Sequence, residues 1–562
     1  MKAILLFDTV NDLIFSKWDD DFLERMKSFN GQEKDVNITD NHHISQLLSP
    51  IITSQRVMAA QFSNTYTSMQ CKDNTTIVFD ELLDHVLMII CEDRVDDAQR
   101  ELMDCKTLVQ HICGQNMNLL HSQVYREWLS VLLESRGKGD SIPGASGVIG
   151  ESGATAAALS ALKTISKEIK WSHPHYHLLL YVGDKMLALY SSRGCEDLLP
   201  PDLILLSIQC IAAQEYWSEQ QEEEKTTLCD DIHLPWLSTE NSAIVHLISS
   251  AGRACIPHSM HLAPLDTRIV FVVLIDMEMR DVGVSVQMSS QILSNLRRLL
   301  LQRNLEMLPN TLDSLEQALK KTTDALRKNK SNSNLCARLT SRMLELRKSC
   351  NTTTPLTPET TATAMQTALE AVIEQLKPDI PSLKMKQPLK ELRNLLTPYI
   401  DFLKYVEEFP GLIHFIYIDR GTGRFLAPDM ADCVDMLTPD TVREIVSRAT
   451  SAVREGYGAC VWRRGALHVC AVRWFERRGS SVRPSAPPHP AAVRALPPPG
   501  DICAAFYRQL VELSFPEESC VCVKELVCVH VGLVPPATAV QQARALAHAV
   551  IDLAGDDHHH LL

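Results

Sequence analysis

The sequence predicts an α/β protein built as three α+β sandwich domains in series, with a helical region before the third. Three observations support this fold class. The order hairpin, helix, strands, helix recurs in three parts of the chain. Several strands are apolar on both faces, which indicates sheets that are covered on both sides. The 562 residues are also too many for one hydrophobic core.

The first predicted domain covers residues 1–135. Two apolar runs, Ala3–Phe7 and Leu13–Trp18, flank a polar turn and predict a β-hairpin. Ser49 and Pro50 predict the start of a helix that reaches about Phe62, because serine can cap a helix and proline suits its first position. Three strands and further helices should follow.

Residues 136–170 have the composition of a Gly/Ser/Ala linker. The second predicted domain covers residues 171–307. Its hairpin consists of Leu178–Val182 and Met186–Tyr190, and Ile269–Ile275 is a fully apolar strand. The last helix of this domain is predicted over Val286–Asn304.

Residues 308–400 lack strand signals and predict a helical connecting region. The third predicted domain covers residues 401–556, and residues 557–562 form a tail. This domain should open with a hairpin, Gly411–Ile418 and Arg424–Ala427, around a Gly-rich turn. Later segments alternate strand and helix patterns up to the closing helix over Ala537–Leu553.

Three stretches of the chain resemble one known family. YVEEFPGLIHFIYIDRGTGRFLAPDM (Tyr405–Met430) is similar to the C-terminal signature of the Hermansky–Pudlak syndrome 1 protein family. LLSPIITSQRVMAAQFSNTYT (Leu47–Thr67) and LALYSSRGCEDLLPPDLILL (Leu187–Leu206) match it in the same order along the chain. The resemblance implies three longin-like domains with mostly antiparallel sheets.

The resemblance also implies a function. Members of that family pair with the Hermansky–Pudlak syndrome 4 protein as a heterodimer, the biogenesis of lysosome-related organelles complex three. That complex is a guanine-nucleotide exchange factor for Rab GTPases of the thirty-two and thirty-eight subfamily, in pigment-granule biogenesis and vesicle trafficking. We therefore expect a cytoplasmic protein, peripherally bound to lysosome-related organelle or endosomal membranes, whose surface around Ser49–Phe62 matters. The alternative is a non-catalytic longin scaffold or tethering subunit.

No catalytic, cofactor-binding or metal-binding residues are predicted, so we do not expect an enzyme that makes or breaks covalent bonds. The phosphate-binding pattern GxxxxGK[ST] and the GxSxG elbow are absent from the sequence. A metal could use the alternating histidines at 173, 175 and 177, but without Cys or carboxylate neighbours we favour an incidental origin. We interpret His558–His560 as a polar tail, and Cys520, Cys522 and Cys528 as core thiols.

Composition limits the remaining function classes. The net charge of −14 argues against nucleic-acid binding. The 17 cysteines contain no CxxC and indicate reduced thiols. We expect no cleavable leader, and the longest apolar runs fall far short of the ~20 residues that span a bilayer.

Charged and titratable residues suggest two further points. Leu319–Cys350 contains nine Lys/Arg against two acids, which indicates either a surface for anionic lipid or an acidic partner, or a solvated helical face, and we favour the latter. His414 should be a buried core histidine. Asp419 and Arg420, at a turn, should be solvated or form a contact site.

Overall fold

The computed structural model describes residues 1–29, 41–62, 66–138, 142–149, 152–168, 175–224, 234, 242–248, 255–266, 268–277, 280–301, 306–328, 333–350, 356–375, 409–428, 437–518 and 520–554. The chain divides into two compact units. Unit 1 contains Met1–Ser130, Ile244–His258 and Met277–Ile380. Unit 2 contains Val131–Ala243, Ser259–Asp276 and Pro381–Leu562.

Unit 1 begins with an antiparallel five-stranded sheet in the order β2-β1-β5-β4-β3. Its strands are β1 (Lys2–Phe7), β2 (Leu13–Trp18), β3 (Ser68–Gln70), β4 (Thr76–Leu82) and β5 (His85–Cys91). The helices of this region are α1 (Asp20–Phe29), α2 (Asn41–Phe62), α3 (Val95–Cys113), a 3₁₀ helix (Met117–His121) and α4 (Gln123–Ser135). The predicted hairpin and the α/β sandwich are confirmed.

Helices cover both faces of the five-stranded sheet, because its central strands carry apolar residues on both faces. On β1, Ala3, Leu5 and Phe7 share a core with residues of α1 and α2. The intervening Ile4 and Leu6 are buried as well, so both faces are covered. On α3, which packs on β4 and β5, a long stripe of apolar residues is buried. Apolar residues on both faces of a strand therefore predicted this architecture correctly.

Helix α1 was not predicted from the sequence, and α2 begins earlier than predicted. The Asp19 carboxylate caps α1 by accepting a hydrogen bond from the Phe22 backbone N–H at 2.9 Å, and the acidic first turn suits the helix dipole. Helix α2 begins at Asn41, eight residues before the predicted Ser49, and Pro50 lies inside it. Burial of Ile44 and Leu48 on the sheet stabilises this extra length enough to offset the donor that the proline removes.

Unit 1 also contains a four-helix bundle made of α7 (Arg280–Leu301), α8 (Leu308–Lys328), α9 (Ser333–Cys350) and α10 (Leu356–Gln375). Each helix packs on two others in the order α7, α8, α9, α10 and back to α7. The shared core includes Val286 and Leu293 from α7, Leu315 from α8 and Leu369 from α10. Helix α7, which we predicted as the last helix of the second domain, thus contributes its apolar stripe to this bundle. Residues 376–400 of the predicted helical region lie outside the described residues.

Unit 2 is built on a long sheet whose strand order includes β14-β15-β17-β12-β13-β6-β8-β7-β11-β10, with β16 beside β15. The strands of this part of the chain are β6 (Ser146–Val148), β7 (Tyr176–Val182), β8 (Lys185–Ser191), β9 (Ser242–Ile248), β10 (Cys255–Asp266), β11 (Ile269–Asp276), β12 (Leu412–Asp419), β13 (Arg424–Leu426), β14 (Ala459–Arg464), β15 (Leu467–Arg477), β16 (Ser480–Val482) and β17 (Val521–Val531). Both predicted hairpins, β7–β8 and β12–β13, are confirmed.

The described residues of this part of the chain also form six helices. They are α5 (Ser152–Glu168), α6 (Pro200–Glu224), α11 (Pro439–Arg454), α12 (Pro490–Arg494), α13 (Ala505–Ser514) and α14 (Pro536–Ala554). Helix α11 begins with a capped start, because the Thr438 hydroxyl accepts a hydrogen bond from the Thr441 backbone N–H and Pro439 occupies the first position. Its apolar stripe packs in one core with β12, β15 and β17.

The glycine-rich stretch that we predicted as a linker contains strand β6. This strand pairs in parallel with β13 on one side and with β8 on the other. Glycine is needed there for space, since a Cβ atom on Gly147 would stand 2.7 Å from Cγ of Lys185 and 3.1 Å from the Phe425 ring. The composition that resembles a flexible linker reflects close packing at this position.

Candidate interaction surface on the first domain

Helix α2 presents one face to the core of the first domain and one to the outside. Ile44, Leu48 and Ile52 are buried at helical spacing and pack on the five-stranded sheet. Their fixed positions determine which residues of α2 point away from the sheet.

The outward face of α2 carries no charge among the residues whose side chains are described, 44–59. Its exposed residues recur at helical spacing, and they are Gln46, Leu47, Pro50, Thr53, Ser54 and Val57. Leu47 is 37% exposed and Val57 is 41% exposed. Solvated faces of helices usually carry Lys, Arg or Glu, whereas the centres of protein interfaces are depleted of charge. This stripe, which we call the α2 face, therefore has the composition of a contact surface.

A polar network holds α2 in place at the side of this face. The half-buried Arg56 donates hydrogen bonds to the backbone carbonyl of Asp84 at 3.1 Å and to that of Asp8. Burial lowers the pKa of Arg56, and nearby Glu81, Asp84 and Asp8 partly offset this effect. The Gln55 side-chain amide donates to the Glu81 carboxylate at 3.2 Å. Two turns of the sheet are thus fastened to one helix.

The β4–β5 turn also fastens the bundle helix α7 within unit 1. Leu83 and Asp84 have φ values of 47° and 65°, the left-handed geometry of a tight two-residue hairpin turn. The Asp84 carboxylate accepts hydrogen bonds from the Ser294 hydroxyl at 2.6 Å and from the Arg297 guanidinium at 2.7 Å. Helix α7 also contacts α2. The α2 face is therefore presented by a supported helix whose position is fixed from several sides.

The predicted core histidine is confirmed, whereas the prediction of a solvated charge pair at the β12 turn is wrong. His414 is buried, and burial together with Lys185 lowers its pKa to about 3. Arg420 is buried too and bonds to the Glu525 carboxylate at 2.8 Å, with its guanidinium 4.4 Å from the centre of the Tyr507 ring. Asp419 pairs with Lys524 at 2.7 Å.

Arg420 is the most extensively bonded of these charges. Besides Glu525, its guanidinium donates to the Pro143 carbonyl at 2.8 Å, just before β6. Burial alone would lower the pKa of Arg420, but Glu525, Tyr507 and Asp501 together outweigh burial and raise that pKa. The sequence does contain a signal for these buried ion pairs. Lys524 and Glu525 are adjacent in the middle of the apolar strand β17, and charges at such a position require buried partners.

The other histidines and cysteines singled out from the sequence do not gather into a reactive site within the described part of the chain. His177 bonds to the Ser191 hydroxyl at 2.8 Å, while His173 and His558–His560 lie outside the described residues. Within the described ranges, no group of three or more His, Cys, Asp or Glu could hold a metal ion. Cys528 is a buried thiol as predicted, whereas Cys520 is exposed. In the same ranges, no helix combines the length and apolarity needed to cross a bilayer.

Comparison with protein families agrees with the geometry of both ends of the chain. A family model described as the first longin domain of FUZ, MON1 and HPS1 matches residues 2–135. A second, described as the third longin domain of the same proteins, matches residues 411–553. The chain carries longin domains. The α2 face belongs to the first longin domain, and the buried Arg420–Glu525 pair belongs to the third.

Proposed function

We propose that the chain is one subunit of a heterodimeric guanine-nucleotide exchange factor for Rab GTPases. We also propose that the α2 face of the first longin domain is a protein–protein interface, with the GTPase or with the partner subunit, that exchange requires. The observation that carries this proposal is the uncharged stripe with the exposed Leu47 and Val57 on a supported helix. The longin domains of the FUZ, MON1 and HPS1 type suggest a role in vesicle trafficking.

Nucleotide exchange requires contact area and no reactive side chain. A subunit that binds the nucleotide-free GTPase more tightly than the loaded one accelerates release, and 10⁴-fold acceleration needs roughly 5.5 kcal/mol of differential binding. An interface of about 1,600 Å² can supply that energy. The resemblance to the Hermansky–Pudlak syndrome 1 protein family suggests the syndrome 4 protein as partner, Rab GTPases of the thirty-two and thirty-eight subfamily as clients, and lysosome-related organelle or endosomal membranes as the place of action.

The test replaces one valine of the α2 face and one matched valine elsewhere in the first longin domain. Val57 on α2 and Val124 on α4 are 41% and 42% exposed. We expect Val57→Lys, in complex with the syndrome 4 protein, to slow release of a fluorescent guanine nucleotide by about 5- to 150-fold, because a desolvated charge at an interface centre costs about 1–3 kcal/mol. Val124→Lys should retain the wild-type rate.

The matched control excludes a folding defect. Lysine at Val124, in the first turn of α4, opposes the helix dipole, whereas Val57 lies more than one turn from either end of α2, so the control variant is the less favourable one for folding. Co-elution of the two subunits in size-exclusion chromatography then shows whether the α2 face contacts the GTPase or the partner subunit. Slow exchange with an intact heterodimer assigns the α2 face to the GTPase, and loss of the heterodimer assigns it to the partner. Wild-type exchange by Val57→Lys would refute the proposal for this face.

A scaffold or tethering subunit without exchange activity is the second candidate function. Its support is the same contact surface on a chain that carries longin domains. The wild-type heterodimer decides between the two. If it leaves the rate of nucleotide release from the thirty-two and thirty-eight subfamily unchanged, the scaffold stands and the exchange proposal falls.

A further inference from the structure

One surface of the four-helix bundle is basic although the chain as a whole is acidic. Helices α8 and α9 together carry eight described Lys and Arg residues against four acids, in a chain with a net charge of −14. None of the eight basic side chains belongs to the buried core, and their full set is Lys320, Lys321, Arg327, Lys328, Arg338, Arg342, Arg347 and Lys348.

The two helices run antiparallel, which brings most of these charges to one end of the bundle. Arg347 on α9 pairs with Asp313 at 2.8 Å and with Glu316 on the first half of α8. The Cys336 thiol donates to the Thr323 carbonyl at 3.7 Å, so the first half of α9 lies beside the second half of α8. Lys320, Lys321, Arg327 and Lys328 are therefore on the part of α8 that faces the Arg338 end of α9.

The acids of this hairpin are unevenly placed. Asp313 and Glu316 neutralise Arg347, and Glu345 pairs with Arg342 at 2.6 Å, all toward the other end. At the α8–α9 turn the only described acid of the two helices is Asp324, which pairs with Arg327 at 3.4 Å. Within the described part of the chain, Lys320, Lys321, Lys328 and Arg338 have no ion-pair partner. We call these four residues the basic tip.

We propose that the basic tip docks the protein on the surface of a bilayer that contains anionic lipid. The four side chains are exposed and lie on the outside of a packed bundle, while the core of α8 and α9 faces inward. Among the described residues of the tip no large apolar side chain is exposed beside them, whereas recognition of a specific peptide usually needs an apolar anchor. Long, exposed cationic side chains suit a negatively charged membrane surface, which attracts each nearby Lys or Arg separately.

The inference is tested with vesicles and the full-length chain, without any GTPase, so its result does not depend on the exchange activity. The probe is sedimentation with vesicles of phosphatidylcholine containing about 30% phosphatidylserine, compared with pure phosphatidylcholine. We expect binding only to the anionic vesicles. We also expect a steep loss between about 50 and 300 mM salt, because exposed charges are screened over a few ångströms at the higher ionic strength.

A triple variant of the basic tip and a charge-matched control locate the surface. Lys320→Gln, Lys321→Gln and Lys328→Gln together should weaken vesicle binding about 100-fold, roughly fivefold per charge removed. The control replaces three exposed basic residues of unit 2, Lys163, Lys167 and Arg193, with Gln and reaches the same net charge. It should bind almost as the wild type does. Gln has a helix propensity close to that of Lys, so the bundle should remain folded.

Three outcomes would overturn the inference. Equal binding to neutral and anionic vesicles excludes an electrostatic surface. Equal losses in the two triple variants exclude the basic tip as its location. Binding of a soluble polyglutamate peptide as tightly as the anionic vesicles, with the same loss in the tip variant, would assign the surface to an acidic polypeptide instead of a membrane.

Discussion

The buried Arg420–Glu525 pair predicts a large and local loss of stability when one partner is removed. Arg420→Met would leave the Glu525 carboxylate, which is 7% exposed, without its main cation. It would also remove the hydrogen bonds to the Pro143 and Gly144 carbonyls. Breaking a buried pair costs about 3–5 kcal/mol, so we expect a loss near 4 kcal/mol.

The effect is best measured by hydrogen exchange, because a protein with several domains does not unfold in one step. A loss of about 4 kcal/mol should lower the protection of the β12 and β17 amides by up to ~10³-fold. Arg463→Met is the matched control, since Arg463 lies exposed on the edge strand β14 of the same sheet. The control should change protection by less than ~0.5 kcal/mol.

A double variant separates pairing from packing. Arg420→Met with Glu525→Leu removes both charges and supplies apolar volume, so it should recover about 2 kcal/mol relative to Arg420→Met alone. Recovery stays incomplete because the carbonyls before β6 still lack a donor. Equal protection in Arg420→Met and Arg463→Met, or no recovery in the double variant, would refute this account of the pair.

Two other features lead to predictions of stability. His111 and His246 donate through Nδ1 to each other's backbone carbonyls at 3.1 and 3.4 Å, and burial lowers the pKa of each to about 4. Because the unfolded chain takes up these protons near pH 6.5 and the folded chain does not, stability should fall as pH decreases from about 6.5 toward 4, by about 1 kcal/mol per histidine at pH 5.5. Hydrogen-exchange protection of the α3 and β9 amides, corrected for the intrinsic exchange rate at each pH, should show this, and a slope in His111→Gln as steep as the wild type's would contradict it. Gly147→Ala should cost about 1–3 kcal/mol of protection in β6 and β8 because its Cβ meets Lys185 at 2.7 Å, whereas Gly458→Ala, with open space around it, should leave protection nearly unchanged.

The sequence predicted the fold correctly where the signal was local, as in an apolar run that ends at turn residues. The hairpins β1–β2, β7–β8 and β12–β13 follow from apolar runs around turn residues, and these signals are local. The α/β sandwich likewise follows from strands that are apolar on both faces. The start of α2 did not follow, because the burial of Ile44 and Leu48 on a distant sheet outweighs the local preference of Pro50.

The features that were mispredicted depend on contacts between residues that are far apart in the sequence. Gly147 looks like linker composition until Lys185 and Phe425 are placed against it. Arg420 looks like an exposed turn residue until Glu525 is found on the neighbouring strand. For α2, the sequence predicted only that the surface around Ser49–Phe62 matters. Which residues of the helix point outward could be assigned only after the structure showed that Ile44, Leu48 and Ile52 pack on the sheet.

Strand β6 ties the assembly of unit 2 to a late part of the chain. Ser146 and Gly147 take their places beside Arg424 and Phe425, so this ladder closes a loop of roughly 280 residues. During synthesis β8 can pair with β6 early, but the other edge of β6 has no partner until β13 has emerged. A chain that ends before Arg424 would therefore leave β6, which lies roughly 280 residues upstream, without its partner strand β13.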